Sequence, residues 1–147
     1  MTKIYLDTCC LNRPFDDQTQ ERIRLEAEAV LAILSRIEKG DWDWVGSDVL
    51  TDEIEQTPDT QKLSRSKLLS DFIDENVEIG EKEIKRAAEL EKAGFQIFDA
   101  LHLASAESAN VDVFLSTDDR LLKLAKRLSD VLQIRVMNPL TWVEEMI

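Results

Sequence analysis

The stretch Lys3-Ile4-Tyr5-Leu6-Asp7, followed by Thr8, decides the fold. An uninterrupted run of strand-forming residues this near the N-terminus is typical of a central strand of a parallel sheet, buried on both faces. The run ends in a carboxylate, and ligands of open α/β sheets bind beyond the carboxyl ends of the strands. Asp7 is therefore a candidate site residue. The alternative is that it only caps or begins the next turn.

The composition limits the class of protein. The chain has 147 residues, the size of one domain, and 44% of them are hydrophobic, so it can bury a continuous core. We predict a single domain over residues 1–147. No apolar run approaches the roughly 20 residues that span a membrane, and the N-terminus lacks the pattern of a secretion signal. These features predict a cytoplasmic protein with no membrane partner.

The charge and the cysteines exclude further classes. A formal net charge of −12 argues against nucleic-acid binding by an overall basic surface. Any anionic substrate must be met locally, by metal ions in an acidic pocket or by a basic stripe on one helix. The only cysteines, Cys9 and Cys10, are neighbours, a spacing that seldom forms a disulfide and offers no four-ligand zinc set. We interpret them as small buried hydrophobic residues under the active face.

Strands and helices alternate along the chain. The predicted strands cover residues 3–7, 42–46, 77–79, 112–116 and 134–137. A loop over residues 8–17, with Pro14 discouraging helix, leads to a long helix with the apolar stripe Ile23, Ala27, Val30, Leu34 and Ile37. The next helix begins at Ser47 or Asp48, and a further one runs to about residue 73 with Leu69, Phe72 and Ile73 as core. Helices are also predicted over 81–93 and 96–109, from Thr117-Asp118-Asp119 through Leu128, and after Asn138-Pro139. The alternation predicts a three-layer α/β/α sandwich with a mainly parallel central sheet of about five strands.

Four acidic residues fall where this architecture brings separate segments together: Asp7, Glu53, Asp99 and Asp118. They come from four different elements. Asp99 stands among apolar neighbours, and a charge in such a setting is rarely left unpaired. Two carboxylates ~5 Å apart repel by roughly 3 kcal/mol at an effective dielectric of about 20. The cluster therefore needs a divalent metal, proton sharing or a basic neighbour.

Oxygen ligands favour Mg²⁺ or Mn²⁺, whereas zinc prefers histidine or cysteine. Such a site fits metal-assisted hydrolysis of a phosphodiester, because a bound ion lowers the pKa of water and stabilises charge on the attacking and leaving oxygens. The chain has four scattered glycines and no glycine-rich phosphate loop, which argues against hydrolysis of nucleoside triphosphates.

Four segments together resemble the PIN-domain proteins, including the VapC-type toxin ribonucleases: Tyr5-Leu6-Asp7-Thr8, Ser47 with Thr51-Asp52-Glu53-Ile54, Phe98-Asp99-Ala100-Leu101-His102-Leu103-Ala104, and Phe114-Leu115-Ser116-Thr117-Asp118. The similarity spans essentially the whole chain. It implies that Asp7, Glu53, Asp99 and Asp118 are the catalytic and metal-binding residues of a Mg²⁺- or Mn²⁺-dependent endoribonuclease, with Thr8 or Ser116 as polar support.

The resemblance also implies an RNA substrate, a cognate antitoxin partner and a homodimer. Asp119 competes with Asp118 for the fourth acidic position, and the offset to Leu121 favours Asp118. The loop Asn12 to Gln18 lies outside the general pattern and leaves the choice of substrate open. A noncatalytic PIN-fold interaction module is the alternative function. A receiver-like phosphoacceptor domain is disfavoured because the third predicted strand ends in Ile79-Gly80.

Several other residues have two interpretations. His102 is interpreted as a buried imidazole with a hydrogen-bond partner, and the alternative is that it orients a carboxylate. Arg13 could meet a phosphate, but an ion pair is preferred. Lys123, Lys126 and Arg127 could meet an RNA backbone, but a solvated surface is preferred. Trp42 and Trp44 could stack on bases, but a core or dimer contact is preferred. Three further acids, Asp16, Asp17 and Asp52, are interpreted as caps and surface charges.

Overall fold

A computed structural model describes residues 1–147. Five parallel strands form one sheet in the order β3-β2-β1-β4-β5. The strands are β1 (Lys3–Leu6), β2 (Asp43–Ser47), β3 (Glu75–Val77), β4 (Val113–Leu115) and β5 (Arg135–Met137), and the helices are α1 (Thr8–Asn12), α2 (Glu21–Glu38), α3 (Asp48–Glu55), α4 (Thr60–Ser70), α5 (Glu81–Ala93), α6 (Ile97–Ser108), α7 (Asp119–Arg127) and α8 (Pro139–Met146). The predicted α/β/α sandwich with a parallel sheet is confirmed.

The central strand β1 separates two hydrophobic layers. Ile4 and Leu6 point into one core, with residues of α2, α3 and α8. Tyr5 points into the other, with residues of α5, α6 and α7. This alternation follows from the two-residue period of a strand, and burial on both faces explains the continuous apolar run at the N-terminus.

The segment after β1 is not the predicted loop. It forms α1 and a 3₁₀ turn over Arg13–Phe15. The side chain of Asp7 accepts a hydrogen bond from the Thr8 N–H and so caps α1, while Pro14 stands in the first turn of the 3₁₀ helix, where no N–H donor is needed. The loop prediction was wrong because a proline that ends one helical turn can also begin another.

The prediction for the third strand was displaced by two residues. The Trp44 N–H donates to Asp74 Oδ2, and the Asp74 N–H donates to the Trp44 carbonyl, so pairing with β2 begins immediately afterwards. The strand lies at the edge of the sheet, and its Glu75 and Asn76 are exposed. Short polar edge strands carry no hydrophobic signal. Phe72, predicted as core, is 43% exposed because α4 ends before it.

Trp44 on β2 and Trp42 just before it belong to the core rather than to a base-stacking surface, since Trp42 is 7% and Trp44 0% exposed. The preferred interpretation of these residues as core is confirmed. None of the helices combines the length and the apolar character that a bilayer crossing requires.

Candidate active site

The site lies at the carboxyl edge of the sheet, where β1 and β4 end side by side. Asp7 follows β1 directly and is 8% exposed. Its Oδ1 accepts from the Thr8 N–H at 2.8 Å, and its Oδ2 accepts from the Ser116 hydroxyl, just past β4, at 3.0 Å. Asp7 is thus both a helix cap and a residue of the strand-end crevice, so the two interpretations of its position are compatible.

Helix α3 brings Glu53 to the same edge. Of the two predicted cap candidates, Ser47 and Asp48, it is Ser47 that caps this helix, by accepting from the Leu50 N–H at 3.1 Å. The Glu53 carboxylate leaves α3 toward α1 and α6: its Oε1 accepts from the Thr8 hydroxyl at 3.3 Å and contacts His102 Nε2. The Glu53 side chain is 34% exposed, so it is the more accessible partner of Asp7.

His102 on α6 lies directly between the strand ends and Glu53. It is 1% exposed, and its Nδ1 lies 2.6 Å from the Tyr5 hydroxyl. Its Nε2 is 3.9 Å from Asp7 Oδ1 in addition to the contact with Glu53. One potential ligand atom each from Asp7, Glu53 and His102 all lie within 4.8 Å of one another. The interpretation as a buried, hydrogen-bonded imidazole is confirmed, and one of its partners is a site carboxylate.

Asp99 begins α6 one helical turn before His102. Burial raises the pKa of Asp99 to about 6, and the negative charges of Asp7, Asp118 and Glu53 act in the same direction, while His102 opposes them. Asp99 thus lies within electrostatic range of Asp7, Glu53 and Asp118, although it makes no hydrogen bond with Asp7 or Glu53. Neither Asp99 nor Asp118 belongs to the compact group in which ligand atoms of Asp7, Glu53 and His102 lie within 4.8 Å of one another.

Asp118 caps α7 beside Asp99. Its Oδ1 accepts from the backbone N–H of Arg120 at 2.9 Å, and its own N–H donates to Ser116 Oγ at 3.1 Å. Asp118 and Asp99 line one small cavity of about 60 Å³. The carboxylate of Asp119 instead forms a two-pronged ion pair with Arg22 on α2, at 2.5 and 2.7 Å. The placement of the two neighbours agrees with the preference for Asp118.

The buried groups of the site affect one another. Burial raises the pKa of Asp7, and Glu53 adds to this, whereas His102 and Ser116 oppose it. Burial lowers the pKa of His102, but the hydrogen bond to Glu53 and the charges of Asp7 and Asp99 outweigh it, and the net direction is upward. The carboxylates thus favour positive charge among them, whether that charge is a proton or a cation.

An open cavity of about 680 Å³ adjoins Glu53 and extends the site away from the strand ends. Its lining combines site residues with the exposed ring of Phe98, and includes Thr8, Asn12, Asp52, Thr57 and Leu101. It is large enough for several atoms of a polymer substrate or a peptide beside the acidic group.

The basic residues near the site differ in their roles. Arg13 pairs with Glu26 at 2.9 Å and Asp16 at 3.1 Å, so the preferred ion-pair interpretation is confirmed. Lys123, Lys126 and Arg127 are exposed on α7 and join no ion pair. They remain a solvated basic face.

Sequence reasoning overestimated the burial of one cysteine and missed three buried acids, Glu26, Glu83 and Glu107. Cys10 is fully buried, as predicted, but Cys9 is half-buried, with its thiol 3.6 Å from Asp7 Oδ2 and 3.4 Å from Ser116 Oγ. Glu26 on α2 is 1% exposed and accepts from Arg13, Arg22 and Asn138. The only sequence feature that could have indicated the burial of Glu26 is its position beside Ala27 and Val30 of the apolar stripe of α2.

The chemistry of the donor set fits a hard divalent cation. The site offers carboxylate oxygens from several elements and no set of thiolates. Glu53 Oε2 and the carboxylate of Asp99 accept no hydrogen bond within the protein, so their lone pairs are available to a cation. Mg²⁺ and Mn²⁺ prefer such oxygen ligands.

Comparisons with known proteins agree with the fold. A search of curated proteins by sequence gives no significant match. Similar solved structures include FitAcB from Neisseria gonorrhoeae (TM-score 0.61, 16% identity, 92% of this chain and 97% of that chain covered) and VapBC2 from Rickettsia felis bound to a DNA fragment from their promoter (0.60, 16%, 92% and 98%). VapBC-1 from nontypeable Haemophilus influenzae is similar too (0.58, 16%, 94% and 98%).

The family model described as the PIN domain matches residues 4–127, which include all four of the predicted acidic site residues. The resemblance seen in the four sequence segments is thereby confirmed, and the chain belongs to the PIN domain family.

Proposed function

We propose that this protein is a metal-dependent endoribonuclease that hydrolyses RNA phosphodiester bonds in the cytoplasm. The catalytic and metal-binding residues of the proposal are Asp7, Glu53, Asp99 and Asp118, and the ion is Mg²⁺ or Mn²⁺. The observation that carries it is the approach of Asp7 to Glu53, together with the raised pKa of Asp99, to which Asp7 and Asp118 contribute.

The chain's own residues hold these carboxylates in place. The hydroxyl of Ser116 and the N–H of Thr8 fix Asp7, the Thr8 hydroxyl fixes Glu53, and the first turn of α7 fixes Asp118. A bound divalent ion supplies charge neutralisation and lowers the pKa of a coordinated water. This local positive charge lets an RNA phosphate approach a protein of net charge −12.

The same proposal includes an antitoxin partner and a homodimer. Two of the similar solved structures are VapBC proteins, and the resemblance of the sequence segments is to VapC-type toxins. The cavity beside Glu53 has room for a partner's side chains as well as for substrate. An inhibitor that occupies it would block the acidic group directly.

Cleavage of RNA by the purified chain, freed of any partner, tests the function. We expect cleavage with Mg²⁺ or Mn²⁺ and none in chelator. Asp7→Asn and Asp99→Asn should each reduce the rate by about 100-fold or more, at least as much as the loss of an outer-shell partner costs. Asp130→Asn, at an exposed turn, is the matched control and should retain the wild-type rate. Absence of cleavage with both ions, or unchanged cleavage by both site variants, contradicts the proposal.

A second candidate is a noncatalytic PIN-fold interaction module. It is favoured by one observation: Asp7 and the Oε1 atom of Glu53 are already satisfied by hydrogen bonds from Ser116, Thr8 and His102. Titration calorimetry with Mn²⁺ beside the RNA assay separates the two functions. Metal binding without cleavage favours the module, and cleavage that depends on the bound metal favours the nuclease.

A further inference from the structure

A buried row of hydrogen bonds connects β2 to Glu53 through His102. The Ser47 hydroxyl lies 2.7 Å from the Tyr5 hydroxyl, which lies 2.6 Å from His102 Nδ1. His102 Nε2 contacts Glu53 Oε1. Ser47 and Tyr5 are 0% exposed and His102 is 1% exposed. Bulk water does not reach these groups, so each must be satisfied by its neighbours in the row.

The number of available protons restricts how the row can be arranged. An ionised carboxylate only accepts hydrogen bonds, so with Glu53 ionised the proton of that contact belongs to Nε2 of His102. If the imidazole is neutral, Nδ1 accepts from Tyr5, whose oxygen accepts from Ser47. If the imidazole is doubly protonated, Nδ1 donates to Tyr5, which donates to Ser47. In both arrangements Nε2 is a donor and has no lone pair for a cation.

We infer that His102 is a positioning residue for Glu53 and not the third ligand of the metal. Its Nε2–H and the Thr8 hydroxyl both donate to the same oxygen, Oε1, while Oε2 makes no hydrogen bond within the protein. The two donors fix the rotamer of the half-exposed Glu53 and leave Oε2 to take the cation. The inference deepens the proposed function, since the cation is the one that the proposed nuclease uses.

The competing assignment is a mixed site in which His102 ligates the ion. It has geometric support, because ligand atoms of Asp7, Glu53 and His102 lie within 4.8 Å of one another. A ligating Nε2 would have to lose its proton to the solvent and give up the hydrogen bond to Glu53. The two assignments therefore differ in where one proton lies.

Nitrogen-15 NMR reads that proton directly. His102 is the only histidine of the chain, so its imidazole signals need no assignment. We expect long-range proton–nitrogen spectra of the metal-free protein to show a protonated Nε2, in either the neutral or the doubly protonated ring. Addition of Mg²⁺ should leave Nε2 protonated. An unprotonated Nε2 in the metal-free protein, or loss of its proton on addition of Mg²⁺, would overturn the inference.

Variants of His102 separate positioning from general stability. Glutamine can place an amide N–H near the position of Nε2, whereas asparagine reaches only as far as Nδ1. We expect His102→Asn to weaken Mn²⁺ binding by about tenfold or more, as loss of an outer-shell partner does, and His102→Gln to weaken it less. Ser105→Ala on the same helix removes a buried hydroxyl that bonds only to the Leu101 carbonyl, and is the control.

Each result of the titration has a consequence. Equal weakening by His102→Gln and His102→Asn, or weakening of the same size by Ser105→Ala, would overturn the positioning role. Partial rescue by glutamine together with unchanged binding in the serine variant supports it. If the wild type cleaves no RNA, the proposed function fails, but the proton on Nε2 and the effect on Mn²⁺ affinity are measured without RNA and still decide the inference.

Discussion

Replacing Asp99 by asparagine should stabilise the metal-free protein. Burial first, and the charges of Asp7 and Asp118 next, raise the pKa of Asp99 from 3.8 to about 6. At 1.36 kcal/mol per pKa unit, the charged form costs the folded state ~3 kcal/mol at neutral pH. Because Asp99 is only partly buried, solvent screens part of this cost, and we expect a gain of roughly 2 kcal/mol. For a chain of this length that is an increase in Tm of about 4–8 °C.

The gain should depend on pH in a defined direction. Well above pH 6, as at pH 7.5, Asp99 of the folded protein carries the unfavourable charge almost in full. As the pH falls from about 6 toward 4, the folded wild type takes up a proton that the unfolded chain does not, and the destabilisation by the Asp99 charge disappears. At pH 4.5 the difference between variant and wild type should be about one third of its value at pH 7.5.

Thermal unfolding in chelator at pH 7.5 and 4.5 measures both effects. Asp130→Asn at an exposed turn is the control, and should change stability by less than about 0.5 kcal/mol at either pH. Addition of Mn²⁺ should raise the Tm of the wild type more than that of Asp99→Asn, since a ligand stabilises the state that binds it. An Asp99→Asn variant no more stable than wild type in chelator would refute the electrostatic reasoning.

Two further predictions concern acids outside the site. Glu26→Gln should lower the free energy of unfolding by about 3 kcal/mol, which is the lower end of the range for a broken buried ion pair because Arg22 is half-exposed. The control, Glu28→Gln at an exposed position of the same helix, should leave the free energy of unfolding unchanged. Equal urea midpoints for the two variants would contradict this prediction. The hydrogen bonds from the Gly80 N–H and then from Ser108 lower the pKa of Glu83, so its contribution is present above its ordinary pKa and lost as the pH falls through the lowered value. Glu83→Gln should therefore be less stable than wild type by ~1 kcal/mol at pH 7 and equal to it near pH 3 in urea unfolding, and a difference of constant size would contradict the assignment.

Elements with strong periodicity were predictable from the sequence. The stripe of α2 and the apolar run of β1 each reflect burial of a whole face, which repeats at the period of the element. The positions of Asp7 and Asp118 at the carboxyl edge of the sheet were predictable for a related reason, since each follows a buried strand and parallel strands end at one edge.

Features set by a single contact were not predictable. The edge strand β3 is located by the two hydrogen bonds between Asp74 and Trp44, which leave no pattern in the sequence. Capping by Asp7 was one interpretation of its position, but Pro14 favoured a loop over the helix α1 that Asp7 caps. The contact of His102 with Glu53 joins residues 49 positions apart. The spacing of His102 from Asp99 predicted that His102 lies near the site, but it did not indicate which carboxylate His102 contacts.

Calorimetric titration of the purified, partner-free protein with Mn²⁺ is the most direct test of the central claim that separate segments build one cation site. We predict binding by the wild type, at least about tenfold weaker binding by Asp7→Asn and Asp118→Asn, and wild-type affinity in Asp119→Asn, whose carboxylate belongs to Arg22. No binding by the wild type, or equal binding by all the variants, would contradict the account.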